Sequence, residues 1–331
     1  AVDANQAVGT ARRLVSVEDV KAIFGSYASS ISFAATQVSE LAGVPYFELG
    51  AISDPITERG FQNVFRSNPT SKSFADRTLD VIQEIIAPGL GVKPEDLRIA
   101  IVHEDALYGT TVAEYQVELA KEAGLNVVEV LPYSAKAVDL SSLLLRLKGS
   151  NVDVVLQTSY QNDTVLFFRQ MKEADFRPKA IIGAGGGYSM QDTVNAVGAD
   201  NMHGVFDIDF TQYLTNEDGA PGLGAFVQAY EKKYGTPPRS GHSLANYAGA
   251  LLFFEAIQDA GSMEPTKIRE AVLKLDKPLG TYPTGWGAKF DDNGQNTRGV
   301  PSVMQWLDGK LTTVFPREAA VADPVVGQVG K

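Results

Sequence analysis

The sequence predicts an α/β protein made of two lobes, each a doubly wound parallel sheet. Three observations predict it. Short runs rich in Val and Ile alternate with amphipathic helical stretches as far as residue 210. Those strand-like runs are almost continuously apolar, as strands covered by helices on both faces are. At 331 residues, with 44% hydrophobic and 21% charged residues, the chain can bury more core than one average domain holds.

In the first hundred residues "DANQAVGTARRLVS" (3–16) reads as a helix and "VKAIFGS" (20–26) as a strand. "SISFAATQVSELAG" (30–43) follows as a helix, "VPYFELG" (44–50) as a strand and "QNVFRSNP" (62–69) as a short strand. "SKSFADRTLDVIQEIIAPG" (71–89) is a long helix closing at Pro88-Gly89. A parallel sheet normally opens with a strand, whereas this sequence opens in a helix, so its first lobe reads as incomplete.

The next stretch is regular. "RIAIVHE" (98–104), "NVVEVLPY" (126–133), "VDVVLQTS" (152–159), "KAIIGAG" (179–185) and "GVFDIDF" (204–210) read as strands. Between them "TTVAEYQVELAKEAG" (110–124) is a helix ending at Gly124, and "DLSSLLLRLKGS" (139–150) one capped by Asp139. "QNDTVLFFRQMKEADF" (161–176) and a short helix from about 190 complete the alternation. Beyond 210 come three helices, at 222–235, 240–261 and 264–276. The chain ends with a hairpin, "SVMQWLDGKLTTVF", turned at Asp308-Gly309.

Bulk composition excludes several classes. A net charge of −11 with no basic run argues against nucleic acid. There are no cysteines, so disulfides, thiol nucleophiles and thiolate metal sites are excluded together. No apolar run is long enough to cross a membrane. The opening lacks a basic, apolar leader, so any secretory signal is expected to have been removed.

"IIGAGGGYSM" (181–190) invites a nucleotide-binding reading, but Tyr188 stands where the third glycine of G-x-G-x-x-G belongs. No acid closes the next strand at the right distance, since Asp207 and Asp209 lie within it, and no G-K-[ST] is present. The loop is better read as stripped of side chains to admit a ligand or a neighbouring lobe. His103, His203 and His242 are scattered singly, so neither a metal nor a cofactor is expected. No G-x-S-x-G elbow exists, and "DDNGQN" (291–296) reads as a tight turn instead of a calcium loop. Paired acids such as Glu104/Asp105 and Asp207/Asp209 read as helix caps or surface charge before acid/base groups.

The remaining candidates share one location. Ser29 and Ser30, Gly50, Tyr108, Tyr160 and Gly185 each follow a predicted strand, on the edge where ligands of doubly wound sheets bind. Ser29 and Ser30 fall at a helix start, where hydroxyls and free amides suit a carboxylate. Ser29 could equally be a plain helix cap.

"DANQAVGTARRLV", "GSYASSISFAATQVSELAGVPYFELGAISDPITERG", "VFRSNP", "IAIVHEDALYG" and "GTYPTGWGAKFDDNGQN" together resemble the branched-chain amino acid type of periplasmic solute-binding proteins, which serve ABC transporters. The resemblance runs over nearly the whole chain. It implies two α/β lobes of the type I periplasmic binding fold, joined by three crossover segments, that close on a small ligand. The first strand, helix and second strand of that fold are absent here. The lobes implied are residues 1–95 with 242–285, and 96–241 with 286–331.

Carried over position by position, Ser29 matches the serine that binds the ligand carboxylate, with Tyr27 and Ser30 beside it and Gly50 supplying a backbone contact. Ile52 falls where amino acid receptors hold the α-amino group with a threonine, and it cannot accept a hydrogen bond. Tyr108 and Tyr160 match walls of the pocket. Gly185 falls where those receptors place an acid for the α-ammonium, and burying an unpaired ammonium costs several kcal/mol. Asp105 or Asp207 could restore that acid from another position. A carboxylate ligand without an amine, aromatic in view of Tyr27, Tyr108, Tyr160 and Tyr188, is therefore weighed beside an amino acid.

The expectation is a periplasmic receptor that binds one small molecule, amino acid or organic acid, and presents it to an ABC permease in the membrane. It catalyses nothing and binds no nucleic acid. The rivals are a sensory domain of the same fold and an α/β enzyme.

Overall fold

The computed structural model describes residues 3–327, 329 and 330. The chain divides into two compact units. The first holds the residues through Thr70 with Glu217–Thr236 and His242–Val300, and the second holds Ser71–Asn216, Pro237–Gly241 and the chain from Pro301 onward.

The first unit is built on three parallel strands, Ile23–Gly25, Tyr46–Glu48 and Val64–Arg66, side by side in that order. Side chains alternate across a strand, so the sheet carries apolar residues on both faces. Phe47 and Phe65 pack with Ala248, Leu252 and Phe253 of the helix Gly241–Ala260. Tyr46 and Val64 pack with Ala11 and Ala35 of the helices Ala4–Ser16 and Ser29–Leu41. The first of these helices is capped by Asp3, whose Oδ1 accepts the Gln6 N–H at 2.9 Å.

Among the described residues the second unit carries a sheet of seven strands. Across the sheet they run Lys310–Phe315, Ser302–Leu307, Phe206–Asp209, Ala180–Gly183, Val154–Thr158, Ile99–Glu104 and Val127–Tyr133. The five from Phe206–Asp209 to Val127–Tyr133 are parallel, joined through helices. The terminal hairpin adds an antiparallel edge, Ser302–Leu307 pairing with Phe206–Asp209. Its turn is the expected one, with Asp308 at φ 51° and Gly309 at φ 76°. Gly124 ends the helix Leu107–Glu122 in the left-handed conformation, φ 68°.

Membership of the units departs from the sequence reading in three stretches. Residues 71–95 lie in the second unit because Phe74, Ala75, Thr78 and Leu79 bury one face of the helix Ser71–Asp80, which packs on Leu107–Glu122. Residues 217–236 lie in the first unit, where Phe226 meets Tyr247 with ring centroids 5.0 Å apart. Residues 286–300 also join the first unit, since Phe290 packs on Phe253 and Asn296 Nδ2 donates to the Ser67 carbonyl. Helix starts shift as well. Asp139 caps from one residue further out, accepting the Ser141 N–H ahead of the helix Ser141–Gly149.

Candidate functional site

At the carboxyl edge of the first unit's sheet the strand Tyr46–Glu48 ends in a fully buried carboxylate. Glu48 Oε1 accepts the N–H groups of Leu49, Gly50 and Ala51 at 3.0, 2.8 and 2.8 Å. The Ser26 N–H reaches both of its oxygens, and the Ser32 hydroxyl donates to Oε2. One side chain thus fixes the loops that carry Tyr27, Ser29, Gly50 and Ile52. Burial pushes the Glu48 carboxyl up to about 7, against the pull of those amide donors. Beside it the fully buried Arg66 donates to the carbonyls of Ser53 and Ala51, to Thr57 Oγ1 and to Gln295 Oε1.

On this frame the predicted residues take definite places. Ser29 is buried and is the first residue of the helix Ser29–Leu41, whose N-cap is Ala28. It does not cap the helix; its Oγ accepts the Ser53 N–H at 3.4 Å. Ser30 is half-buried on the same first turn, where amides have no acceptor within the helix. The Gly50 amide is engaged by Glu48, so the backbone contact expected of Gly50 is left to its carbonyl. Only glycine fits there, because a Cβ would stand 2.5 Å from the Ser26 carbonyl oxygen. Ile52 is buried, and Tyr27 is half-exposed with its ring edge against His242, centroids 4.8 Å apart.

The second unit repeats the device. Glu104, at the end of Ile99–Glu104 and fully buried, accepts the N–H groups of Gly109 at 2.6 Å and Ala106 at 2.7 Å. Burial raises its carboxyl, and those amides oppose the rise. Glu104 therefore braces a loop. Tyr108 lies inside the first turn of the helix Leu107–Glu122, earlier than the start expected at 110. Its hydroxyl donates to the Ala184 carbonyl, and its ring meets that of Tyr160 with centroids 5.3 Å apart. Tyr160 is half-buried and caps the helix Gln161–Glu173 through its backbone.

The glycine loop clears space mainly for its own unit. A Cβ on Gly183 would stand 2.1 Å from the Tyr188 ring, one on Gly186 would stand 2.2 Å from the Ser159 carbonyl, and one on Gly187 2.1 Å from Thr164 Oγ1. Tyr188 is wholly buried in the core, which removes it from the candidate pocket aromatics. Gly185 differs. Its φ is +73°, its N–H donates to Asp207 Oδ1 at 2.9 Å, and a Cβ on it would meet the Asp209 carboxyl group at 3.0 Å. Asp207 and Asp209 sit two apart on the strand Phe206–Asp209, so they share a face, and both are buried. Burial first, then Asp209, push the Asp207 carboxyl well above the usual range, and Asp207 Oδ2 has no hydrogen-bond partner. Asp105 is exposed on the loop ahead of Tyr108.

Other chemistry is thin. Among the described residues no group of three His, Asp or Glu side chains is placed to hold a metal ion. Asp291 Oδ1 accepts the N–H groups of Asn293 and Gln295, which makes "DDNGQN" a turn. What the two sheet edges offer is an anion-friendly helix start in one unit and, in the other, a glycine loop that meets a buried pair of acids and two tyrosines.

The sequence profile of the periplasmic binding protein family matches residues 1–310. The chain belongs to the periplasmic binding protein family. Leu/Ile/Val-binding protein homolog 8 of Brucella abortus (strain 2308) is 54% identical over 322 residues, which is 97% of this chain and 80% of that protein. Homolog 7 of Brucella suis biovar 1 (strain 1330) is 51% identical over 323 residues, 98% of this chain and 81% of the relative. In fold, the chain is similar to the leucine binding protein LivK of Thermotoga maritima MSB8, with a TM-score of 0.81 and 21% identity over 94% of this chain and 84% of that one. LivJ of Streptococcus pneumoniae, solved in complex with isoleucine, gives a TM-score of 0.79 and 20% identity over 98% and 85% of the two chains. A solute binding protein of Rhodopseudomonas palustris BisB5, in complex with 3,4-dihydroxy benzoic acid, gives 0.77 and 22% over 97% and 85%. A periplasmic binding protein is an extracytoplasmic solute receptor and not an enzyme. Among the described residues no helix is long and apolar enough to cross a membrane.

Proposed function

We propose that this chain is the solute receptor of an ABC importer and that its ligand is an α-amino acid with an apolar side chain. The observation that carries the reading is the buried acid pair at Gly185. Where the resemblance implies an acid at position 185, Asp209 brings a carboxyl against the bare glycine and Asp207 binds the glycine's amide. Ile52 offers the amine nothing, so the acids of the second unit are its natural partners. Ser29 and Ser30, on a first helical turn, suit the ligand carboxylate. The tyrosine pair suits an apolar side chain. The Brucella relatives carry Leu/Ile/Val-binding names, which favours the same class.

Isothermal titration with leucine, with 4-methylpentanoate, its deaminated counterpart, and with 3,4-dihydroxybenzoate tests this. Leucine binding at least about a hundredfold tighter than 4-methylpentanoate is the expected result, the discrimination a lost buried charge partner imposes. A second reading, an aromatic acid receptor, is favoured by the Tyr108–Tyr160 pair. Tighter binding of 3,4-dihydroxybenzoate than of leucine replaces the first reading with the second. Delivery to a permease is tested by uptake in cells, which deletion of the receptor should abolish.

A further inference from the structure

A chain of hydrogen bonds runs through the core of the second unit below the candidate tyrosines. The Tyr188 hydroxyl donates to Gln157 Oε1, Gln157 Nε2 donates to the Tyr133 hydroxyl at 3.4 Å, and that hydroxyl donates to Asp163 Oδ2 at 2.6 Å. All four side chains are buried. The chain therefore spans three strand-end segments: the glycine loop, the end of Val127–Tyr133 and the helix start after Tyr160.

Both ends of the chain touch candidate solute groups. Asp163 lies in the first turn of the helix that Tyr160 caps, where a carboxylate is stabilised by the free amides and the dipole. The next residue, Thr164, donates its amide and hydroxyl to the Tyr160 carbonyl at 3.0 and 2.7 Å. At the other end Tyr188 packs over Gly183, and its amide donates to the Gly185 carbonyl. The Ser159 carbonyl accepts the Gly187 amide and closes the circuit between the two loops.

We propose that Asp163 is a positioning residue for the solute site, holding the Tyr160 helix start and the glycine loop in one register through Tyr133, Gln157 and Tyr188. It touches no ligand. The inference rests on the solute-receptor reading for its effect on binding, while the coupling itself is a property of the unit alone. The ionisable groups facing Asp163 are Tyr133 from its strand, Glu104 from the neighbouring strand and Tyr188 from the glycine loop. Burial pushes the Asp163 carboxyl up to about 6, so its charge, and with it the register, changes across mildly acidic pH.

Trp306 provides a reporter that needs no ligand, since its indole N–H donates to the Tyr188 carbonyl at 2.8 Å. Tryptophan fluorescence of the full chain carrying Trp286→Phe, in which Trp306 alone reports, titrated from pH 4.5 to 8, is expected to show a step near pH 6. The step should be lost in Asp163→Asn, which keeps an acceptor for Tyr133 but cannot ionise. At pH 7 leucine affinity should fall about threefold to tenfold in Asp163→Asn and in Tyr133→Phe, the range expected for coupling through packed groups. The circular dichroism spectra of both variants should match the wild type. A step near pH 6 that persists undiminished in Asp163→Asn on that background overturns the proposal, as does wild-type leucine affinity in both variants. If the wild type binds neither leucine nor 3,4-dihydroxybenzoate, the function reading fails and the fluorescence titration alone decides for or against the coupling.

Discussion

Asp209 fills the space that a side chain on Gly185 would enter, its carboxyl group 3.0 Å from the position of that missing Cβ. With Asp207 on the same strand face, and its carboxyl raised by burial and by Asp209, the pair retains a proton more tightly than an isolated acid. An ammonium ion placed against it would take over that proton's role. Binding of leucine at pH 7 is expected to release up to about one proton per site. Titration in buffers of different ionisation enthalpy measures this, and a heat independent of the buffer counts against the pair.

Asp207→Asn removes the repulsion and keeps the acceptor for the Gly185 amide. Because burial and Asp209 oppose the ionised form of Asp207, the variant should be more stable than the wild type at pH 7. It should also bind leucine more weakly. Urea unfolding and titration of the same sample read both effects, and a variant less stable than the wild type contradicts the account.

Gly183→Ala drives a methyl group into the Tyr188 ring at 2.1 Å. Overpacking of this kind costs about 1–3 kcal/mol, and here it also displaces the Tyr188–Gln157 hydrogen bond. Calorimetry should show the lower unfolding midpoint. Gly9→Ala, where a Cβ would meet nothing within 4 Å, is the control and should be neutral or slightly stabilising.

Removal of Glu48 strands the amides of Ser26, Gly50 and Ala51, while the Leu49 amide keeps the Gly25 carbonyl at 3.0 Å. Glu48→Ala is expected to cost about 3 kcal/mol or more, since buried donors without acceptors carry their full desolvation penalty. Chemical denaturation provides the test. A cost under about 1 kcal/mol would mean that the loop re-pairs its amides elsewhere.

Stability should peak on the acid side of neutrality. Glu48, Glu104, Asp163 and Asp207 all titrate higher when folded, so their contribution is complete below the unfolded carboxylate range and is lost as pH rises through the folded values, about 6 for Asp163 and about 7 for Glu48. Glu129 and Asp139 act in the opposite sense, lowered by Ser150 and by Ser141, so their contribution disappears in acid. Thermal midpoints are expected to rise from pH 8 to about pH 5 and to fall below about pH 4.

The alternation of apolar runs with amphipathic stretches made the sheet of the second unit readable strand by strand, because two-sided burial leaves a distinct residue pattern. The same pattern does not say which sheet an amphipathic helix covers, so Ser71–Asp80 was assignable to its partner only through three-dimensional packing. The strand ends were legible as a location. Their working parts were less so: a terminal acid such as Glu48 or Glu104 reads as surface charge until the loop amides close around it. A signal was present in each case, a glycine two residues after Glu48 and five after Glu104, whose amide the acid receives. Tyr188 misled for a related reason. An aromatic beside glycines looks like a pocket wall, whereas these glycines exist to let its ring into the core.

The strand-end glutamates also bear on the thermodynamics of association. Loops already stitched to a carboxylate lose little conformational freedom when a guest arrives, so less of the contact energy is consumed in ordering them. Neighbouring residues can then drift in sequence and alter the preferred guest while the framework beneath them stays rigid, a division of labour that lets one scaffold diversify in selectivity.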